Sequence, residues 1–152
     1  MKKGIYELES AEKRLKTFFK NRVEILLSYL FGSYVERPTG GFHDIDIAVL
    51  VIPGLYEKID KETPYGYAAS LNAQIAHILK YNFIDLVILN DSPPLILRRV
   101  IGDGKLIFCR SEKDRIRFEV ESLKRYADTE HIRSIKRLYM AQRIEKGLVV
   151  YG

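Results

Sequence analysis

Asp44 and Asp46 are the residues of this chain best placed to do chemistry. They open the segment Asp44-Ile45-Asp46-Ile47-Ala48-Val49-Leu50-Val51-Ile52, otherwise wholly apolar. In a strand, residues two apart share a face, so two carboxylates project side by side from the start of an apolar element. Carboxylates a few ångströms apart repel, and one of them is pushed up in pKa. A divalent cation relieves that repulsion, and hard oxygen ligands suit Mg2+, usually shared with substrate phosphates. The same pair also fits an ordinary solvent-exposed strand start. Asp85 is the second signal. It interrupts Phe83-Ile84-Asp85-Leu86-Val87-Ile88-Leu89, where an unpaired charge is expensive. Its partner is either an arginine such as Arg98 or Arg99, or a metal shared with Asp44 and Asp46 from a neighbouring strand. Gly32-Ser33 is the third. A glycine and a small hydroxyl residue just past a strand let backbone N–H groups approach a phosphate closely, although alone the dipeptide also reads as a turn.

These residues need elements to hold them. Val23 to Phe31 is apolar on both faces and reads as a buried strand delivering Gly32-Ser33 to one end of a sheet. A loop with Pro38 and Gly40-Gly41 leads to a second buried strand, Asp44 to Ile52, and Phe83 to Leu89 and Lys105 to Cys109 read as a third and fourth. A helix is expected over Leu8 to Lys20, with Leu8, Ala11, Leu15, Phe18 and Phe19 on one face. Thr63-Pro64 reads as the opening of another, carrying the stripe Tyr67, Leu71, Ile75, Ile78 and Leu79. Ser92-Pro93-Pro94 starts a short helix ending near Ile101. Ser111, with Asp114 three residues on, resembles a capping box. It opens a long basic helical region with Ile116, Val120, Leu123, Ala127, Ile135 and Leu138 on its stripe. As a helix of about thirty residues that region would extend about 45 Å, too far for all of its stripe to be buried on one small sheet. Helices between strands with short connections predict an α/β (α+β) domain: a small mixed β-sheet flanked by helices, with a C-terminal helical tail. The expected division is a core over residues 1–110 and a basic tail over 111–152, in the same domain or docking a partner.

Composition narrows the classes. The chain has 152 residues, 47% hydrophobic and 30% charged, as expected of one folded domain rather than a disordered chain. Its net charge is +5. From Arg110 to Lys146 eleven Lys/Arg face seven Asp/Glu, so +4 of that charge lies near the C-terminus. The single cysteine, Cys109, excludes an internal disulfide framework and suits a reducing cytoplasm. No apolar run approaches the roughly 20 residues that span a bilayer, and no signal peptide is visible after Met1-Lys2-Lys3-Gly4. Cytoplasmic localisation without a membrane partner is expected. The tail alternates bases with acids and the chain carries no helix-turn-helix, zinc or stacking motif, so direct nucleic-acid binding is not expected.

Together the three signals are specific. Gly32-Ser33, ten residues, Asp44-x-Asp46 and a lone in-strand Asp85 resemble the DNA polymerase β-like nucleotidyltransferase superfamily. The text Tyr29-Leu30-Phe31-Gly32-Ser33-Tyr34 and the Pro-Pro-Leu segment before a basic helix are similar to its minimal nucleotidyltransferase branch. That branch includes MntA-type antitoxins, paired with toxins of the HEPN ribonuclease family. The resemblance covers about residues 23 to 110. Members often read Gly-Ser-Tyr-Ala-Arg-Gly, whereas Val35, Glu36 and Arg37 follow Tyr34 here, and His43 stands where a serine commonly precedes the paired aspartates. Arg37 is therefore left outside the site.

The resemblance implies an ATP- and Mg2+-dependent protein adenylyltransferase of the polymerase β-like fold. Asp44 and Asp46 would hold two Mg2+ ions bridging the ATP phosphates, and Asp85 would join one metal and help activate the acceptor. N–H groups around Gly32 and Ser33 would hold the leaving pyrophosphate. The implied acceptor is a tyrosine hydroxyl of the cognate HEPN toxin, which AMP transfer would silence. The chain could also form a homo-oligomer or hetero-oligomer. Two alternatives stand beside this reading: an antitoxin that acts by occlusion without turnover, and a small-molecule adenylyltransferase of the aminoglycoside type. The latter usually carries a large extra helical domain, and only about forty residues follow the sheet here.

Overall fold

The computed structural model describes residues 2–32, 35 and 44–147, without the side chains of residues 2–8. Among the described residues six helices flank one sheet: α1 (Lys2–Lys20), α2 (Leu55–Glu62), α3 (Tyr67–Leu79), α4 (Pro94–Asp103), α5 (Glu112–Asp128) and α6 (Glu130–Glu145). The strands are β1 (Ile25–Phe31), β2 (Ile45–Val51), β3 (Ile84–Ile88) and β4 (Lys105–Cys109).

The two central strands are those whose side chains are apolar on both faces. β1 and β2 are each buried at six of seven positions and pair antiparallel from Ile25↔Val51 to Phe31↔Asp46. β3 lies parallel to β2 and β4 antiparallel to β1, giving the order β3-β2-β1-β4. This is the mixed sheet flanked by helices expected from the sequence. Alternation along β2 divides the core in two. Ile45, Ile47, Val49 and Val51 pack with Leu15 and Phe19 of α1 and Leu71 and Ile75 of α3. Ala48 and Leu50 pack on the other face with Tyr29 and Phe31 of β1, Leu97 and Val100 of α4, and Phe118 of α5. By the same alternation Asp46 belongs to the α4–α5 face.

Two expectations are corrected. Thr63-Pro64 does not open a helix. Thr63 ends α2, an element the apolar pattern did not reveal, and its Oγ1 donates to the Ile59 carbonyl at 2.6 Å. The next helix starts at Tyr67, after Gly66 at φ 90°, and the Asp60 carboxylate accepts from the Tyr67 N–H at 2.8 Å. The basic tail, in turn, is two helices rather than one. α5 ends at Asp128, and Thr129 separates it from α6. At this junction the Arg133 guanidinium lies 3.6 Å from the centre of the Tyr126 ring and donates to the Tyr126 carbonyl at 3.0 Å. The expected cap is present: Ser111 Oγ accepts from the Asp114 N–H at 3.3 Å.

α5 is tied to the sheet through Tyr29, whose hydroxyl donates to Glu119 at 2.9 Å. Desolvation, then the Glu119 hydrogen bond, holds that phenol far above its ordinary pKa. α6 has no buried residue. Its apolar side chains remain in solvent, with Ile135 53% and Leu138 66% exposed, and Ile116, Val120 and Leu123 of α5 are exposed as well.

Arg110 is a support that the hydrophobic pattern does not show. It follows β4, and its guanidinium donates to the carbonyls of Ile25 at 2.9 Å, Phe19 at 3.1 Å and Arg22 at 2.9 Å. These include carbonyls at the end of α1 and just beyond it, where helical partners run out. Arg110→Ala should lower stability by about 1–2 kcal/mol, read as a shift in the urea midpoint, and Arg110→Lys should not restore it because an ammonium lacks the planar fork.

Candidate functional site

β1 stops where β2 and β3 begin, so one end of the sheet collects the residues singled out by chemistry. Asp46 stands opposite Phe31 on one side and opposite Asp85 on the other. Asp44 lies two residues before Asp46, at the mouth of β2. Gly32 follows Phe31 immediately. The structure thus brings Gly32, Asp44, Asp46 and Asp85 together at one sheet end. Ser33 lies outside the described residues, as do Arg37 and His43.

Gly32 is required twice over. Its φ is 77°, a left-handed conformation that costs other residues about 1–2 kcal/mol. A Cβ at this position would also fall on Asp46 Oδ2. The Asp46 carboxylate therefore lies directly against the β1 terminal backbone, and any anion bound by the N–H groups there would lie beside it.

Electrostatics follow from the clustering. Burial, then the charge of Asp85 and that of Asp44, holds the Asp46 carboxyl above its ordinary pKa. Arg99 of α4 acts in the opposite direction. Asp85 itself differs from the sequence expectation. Its side chain is exposed rather than buried, because β3 is an edge strand, so desolvation does not demand a partner. Among the described residues it makes no ion pair, with Arg98, Arg99 or any other cation. Its proximity to Asp46 comes instead from the parallel ladder, where the two occupy matched positions.

Among the described residues the donors here are carboxylate oxygens, the set that suits hard cations. Among the described residues no three Asp, Glu, His or Cys side chains form a ready-made metal cage. Such a set fits Mg2+ better than Ca2+ or Zn2+, since Mg2+ is usually held by one or two carboxylates and completed by water and substrate phosphates.

α4 brings a cation to this face of the sheet. It begins beyond the far end of β3 and runs back to the carboxylate end, where Gly104 passes the β1 backbone so closely that a Cβ would lie 3.1 Å from the Leu30 carbonyl oxygen. The chain then enters β4, with Lys105 opposite Leu30. Leu97 and Val100 are buried under α4, whereas Arg98 and Arg99 between them are exposed. The sequence offers Arg98 and Arg99 alike as partners of Asp85, and a solvated helix face fits both equally well. Cys109 packs at the edge of the core, and burial, then a hydrogen bond with Glu112, pushes its thiol up. That is the opposite of what a nucleophile needs. His131 is exposed on α6.

The fold and site are thus a mixed four-stranded sheet with helices on both faces and acidic residues at its strand ends. A family model described as Polymerase beta, Nucleotidyltransferase, matches residues 13–113. The chain belongs to this family. Solved structures agree on the fold. A toxin–antitoxin crystal structure with AMP-PNP contains a similar chain, at TM-score 0.66 and 23% identity, covering 88% of this chain and 98% of that one. A chain of the tri-AMPylated Shewanella oneidensis HEPN toxin in complex with MNT antitoxin matches at TM-score 0.61 and 23% identity, covering 90% and 98%. A third, from the toxin–antitoxin MntA-HpeT carrying two Asp→Glu changes two positions apart, matches at TM-score 0.60 and 25% identity, covering 88% and 98%. No curated protein matches the sequence. No helix among the described residues is long and apolar enough to cross a membrane.

Proposed function

We propose that this chain is the antitoxin of a toxin–antitoxin pair, acting in the cytoplasm, and that it transfers AMP from ATP to a tyrosine hydroxyl of a HEPN ribonuclease toxin. The observation that carries this reading is the Asp46–Asp85 match across the β2–β3 ladder, with the Gly32 backbone set against Asp46. Family membership supports nucleotidyl transfer, and the toxin–antitoxin complexes among similar structures support a toxin as the acceptor.

In this reading the backbone at Gly32 and Ser33 holds the β- and γ-phosphates and so orients the triphosphate. Asp44, Asp46 and Asp85 would hold two Mg2+ ions, which when bound offset the triphosphate charge and stabilise the attacking and leaving oxygens. Asp85, exposed at the sheet edge, is reachable by a residue of another protein and accepts the proton of the incoming hydroxyl. The tyrosine oxygen attacks the α-phosphorus in line, the bond to the β-phosphate bridging oxygen breaks, and pyrophosphate leaves. The tail binds the toxin. The exposed apolar side chains Ile132, Ile135 and Leu138 on α6, continued by Ile116, Val120 and Leu123 on α5, are the surface a partner would cover.

The reading is tested by incubating the protein with purified toxin, ATP and Mg2+ and weighing the toxin intact. One or more added AMP units on a tyrosine, stopped by chelation while the complex persists, is the expected result. A second reading, occlusion without chemistry, is favoured by the exposed α5–α6 apolar surface, which needs no nucleotide to bind. Equal neutralisation without ATP and no mass gain with it would establish occlusion instead.

A further inference from the structure

Three carboxylates meet at one sheet end, and a nucleoside triphosphate would bring several more negative charges to them. Besides any metal, the protein must offer that phosphate chain a cation. Among the described residues, most cations around the sheet are already committed. Lys105, beside Leu30 at the same end, is paired with Glu12 at 2.8 Å. Arg98 lies over the Tyr126 ring at 5.9 Å, with Nη1 filling the space beside Gly102. Arg115 is held by Glu112 and Glu119 at 2.6 and 3.0 Å. Arg110 is spent on backbone carbonyls of the α1–β1 connection.

Arg99 is different. It sits on the part of α4 that approaches the carboxylate end, exposed, between Leu97 and Val100, which anchor the helix to the Asp46 face. Among the described residues no ion pair or hydrogen bond of its guanidinium is found, and Val100 beside it packs in one cluster with Phe31, the residue opposite Asp46. An exposed guanidinium on this face, engaged by no partner among the described residues, is available to a ligand arriving at the carboxylates. Its fork of N–H donors matches phosphate oxygens two at a time.

We propose that Arg99 is a nucleotide-binding residue that grips the phosphate chain from the α4 side, and that it holds pyrophosphate after transfer. This rests on the reading of the site as one for a nucleoside triphosphate. Two probes test it by calorimetry in Mg2+, a non-hydrolysable ATP analogue and inorganic pyrophosphate. Arg99→Ala should weaken both by tenfold or more, with Arg99→Lys recovering part of the loss and Arg98→Ala leaving both unchanged. Arg99→Gln, which keeps the side chain's bulk, should behave like Arg99→Ala, and unchanged urea midpoints would show that the fold is intact. Both probes binding Arg99→Ala and Arg99→Gln as tightly as the parent would overturn the assignment of Arg99 and leave the nucleotide reading standing. Failure of the parent protein itself to bind either probe would overturn both.

Discussion

Asp46→Asn should cut AMP transfer about 10²–10³-fold, the scale seen when a fixed electrostatic contact to a transition state is removed. An amide is a poor Mg2+ ligand, and the one at this position would sit where the backbone of Gly32, the Asp85 carboxylate and the α4 cation converge. The protein should nevertheless remain folded and, without metal, be no less stable. The sign follows from linkage. Asp46 is held above its ordinary pKa, so the folded state binds the proton more tightly than the unfolded state. Stability then falls as pH rises from the ordinary carboxylate value through the raised folded value, and the full cost of ionisation is present above that window. Asparagine carries no such cost. Thermal denaturation without metal should show parent and variant converging toward the acid end and the variant equal or higher near neutrality. Added Mg2+ with nucleotide should raise the parent's midpoint by ligand linkage and the variant's far less. A variant that turns over normally with labelled ATP and toxin would remove Asp46 from the chemistry.

Gly32→Ala should also lose transfer, and by a different route. Alanine at φ 77° costs about 1–2 kcal/mol, and its methyl group would displace the Asp46 carboxylate. The urea midpoint should fall and nucleotide binding should disappear together, whereas Asp46→Asn should leave the midpoint unharmed. Pairing the change with Asp46→Ala makes room for the methyl group. The double variant should therefore lose less stability than the two single losses added, because neighbours that collide do not act independently. Full additivity would mean that the contact at the end of β1 is not the source of the cost.

The sheet and its carboxylates were legible because they rest on pattern. Val23 to Phe31 and Asp44 to Ile52 are apolar on both faces, and only a central strand accepts that. What pattern could not supply was register. Gly32 announces itself as a turn residue, but its tightness against Asp46 depends on Phe31 pairing with Asp46, which no local sequence encodes. Asp85 was expected to be buried because Phe83 to Leu89 reads alike for a central strand and an edge strand; being at the edge leaves its carboxylate in water. Thr63-Pro64 carries the signals of a helix start, yet Asp60 and Gly66 place that start at Tyr67. The tail's stripe was visible, and it was expected that not all of it could be buried; the exposure of Ile116, Val120 and Leu123 in the near half goes further. The break at Thr129 was not, since nothing in Asp128-Thr129-Glu130 forbids a helix outright.

The direction of the strands also governs when this chemistry can first exist. β2 and β3 run parallel, so no hairpin can join them, and residues 52–83 must cross over before Asp85 reaches Asp46. β1, which carries Gly32, gains its outer neighbour only when β4 is made, at Lys105–Cys109. During synthesis, then, the ribosome must release the chain through Cys109 before the sheet can close, and pairings of such long range are slow to form. Nascent chains that end before Ile84 have no strand to set beside β2, so Asp85 cannot yet reach Asp46, and the sheet is complete only once β4 has followed.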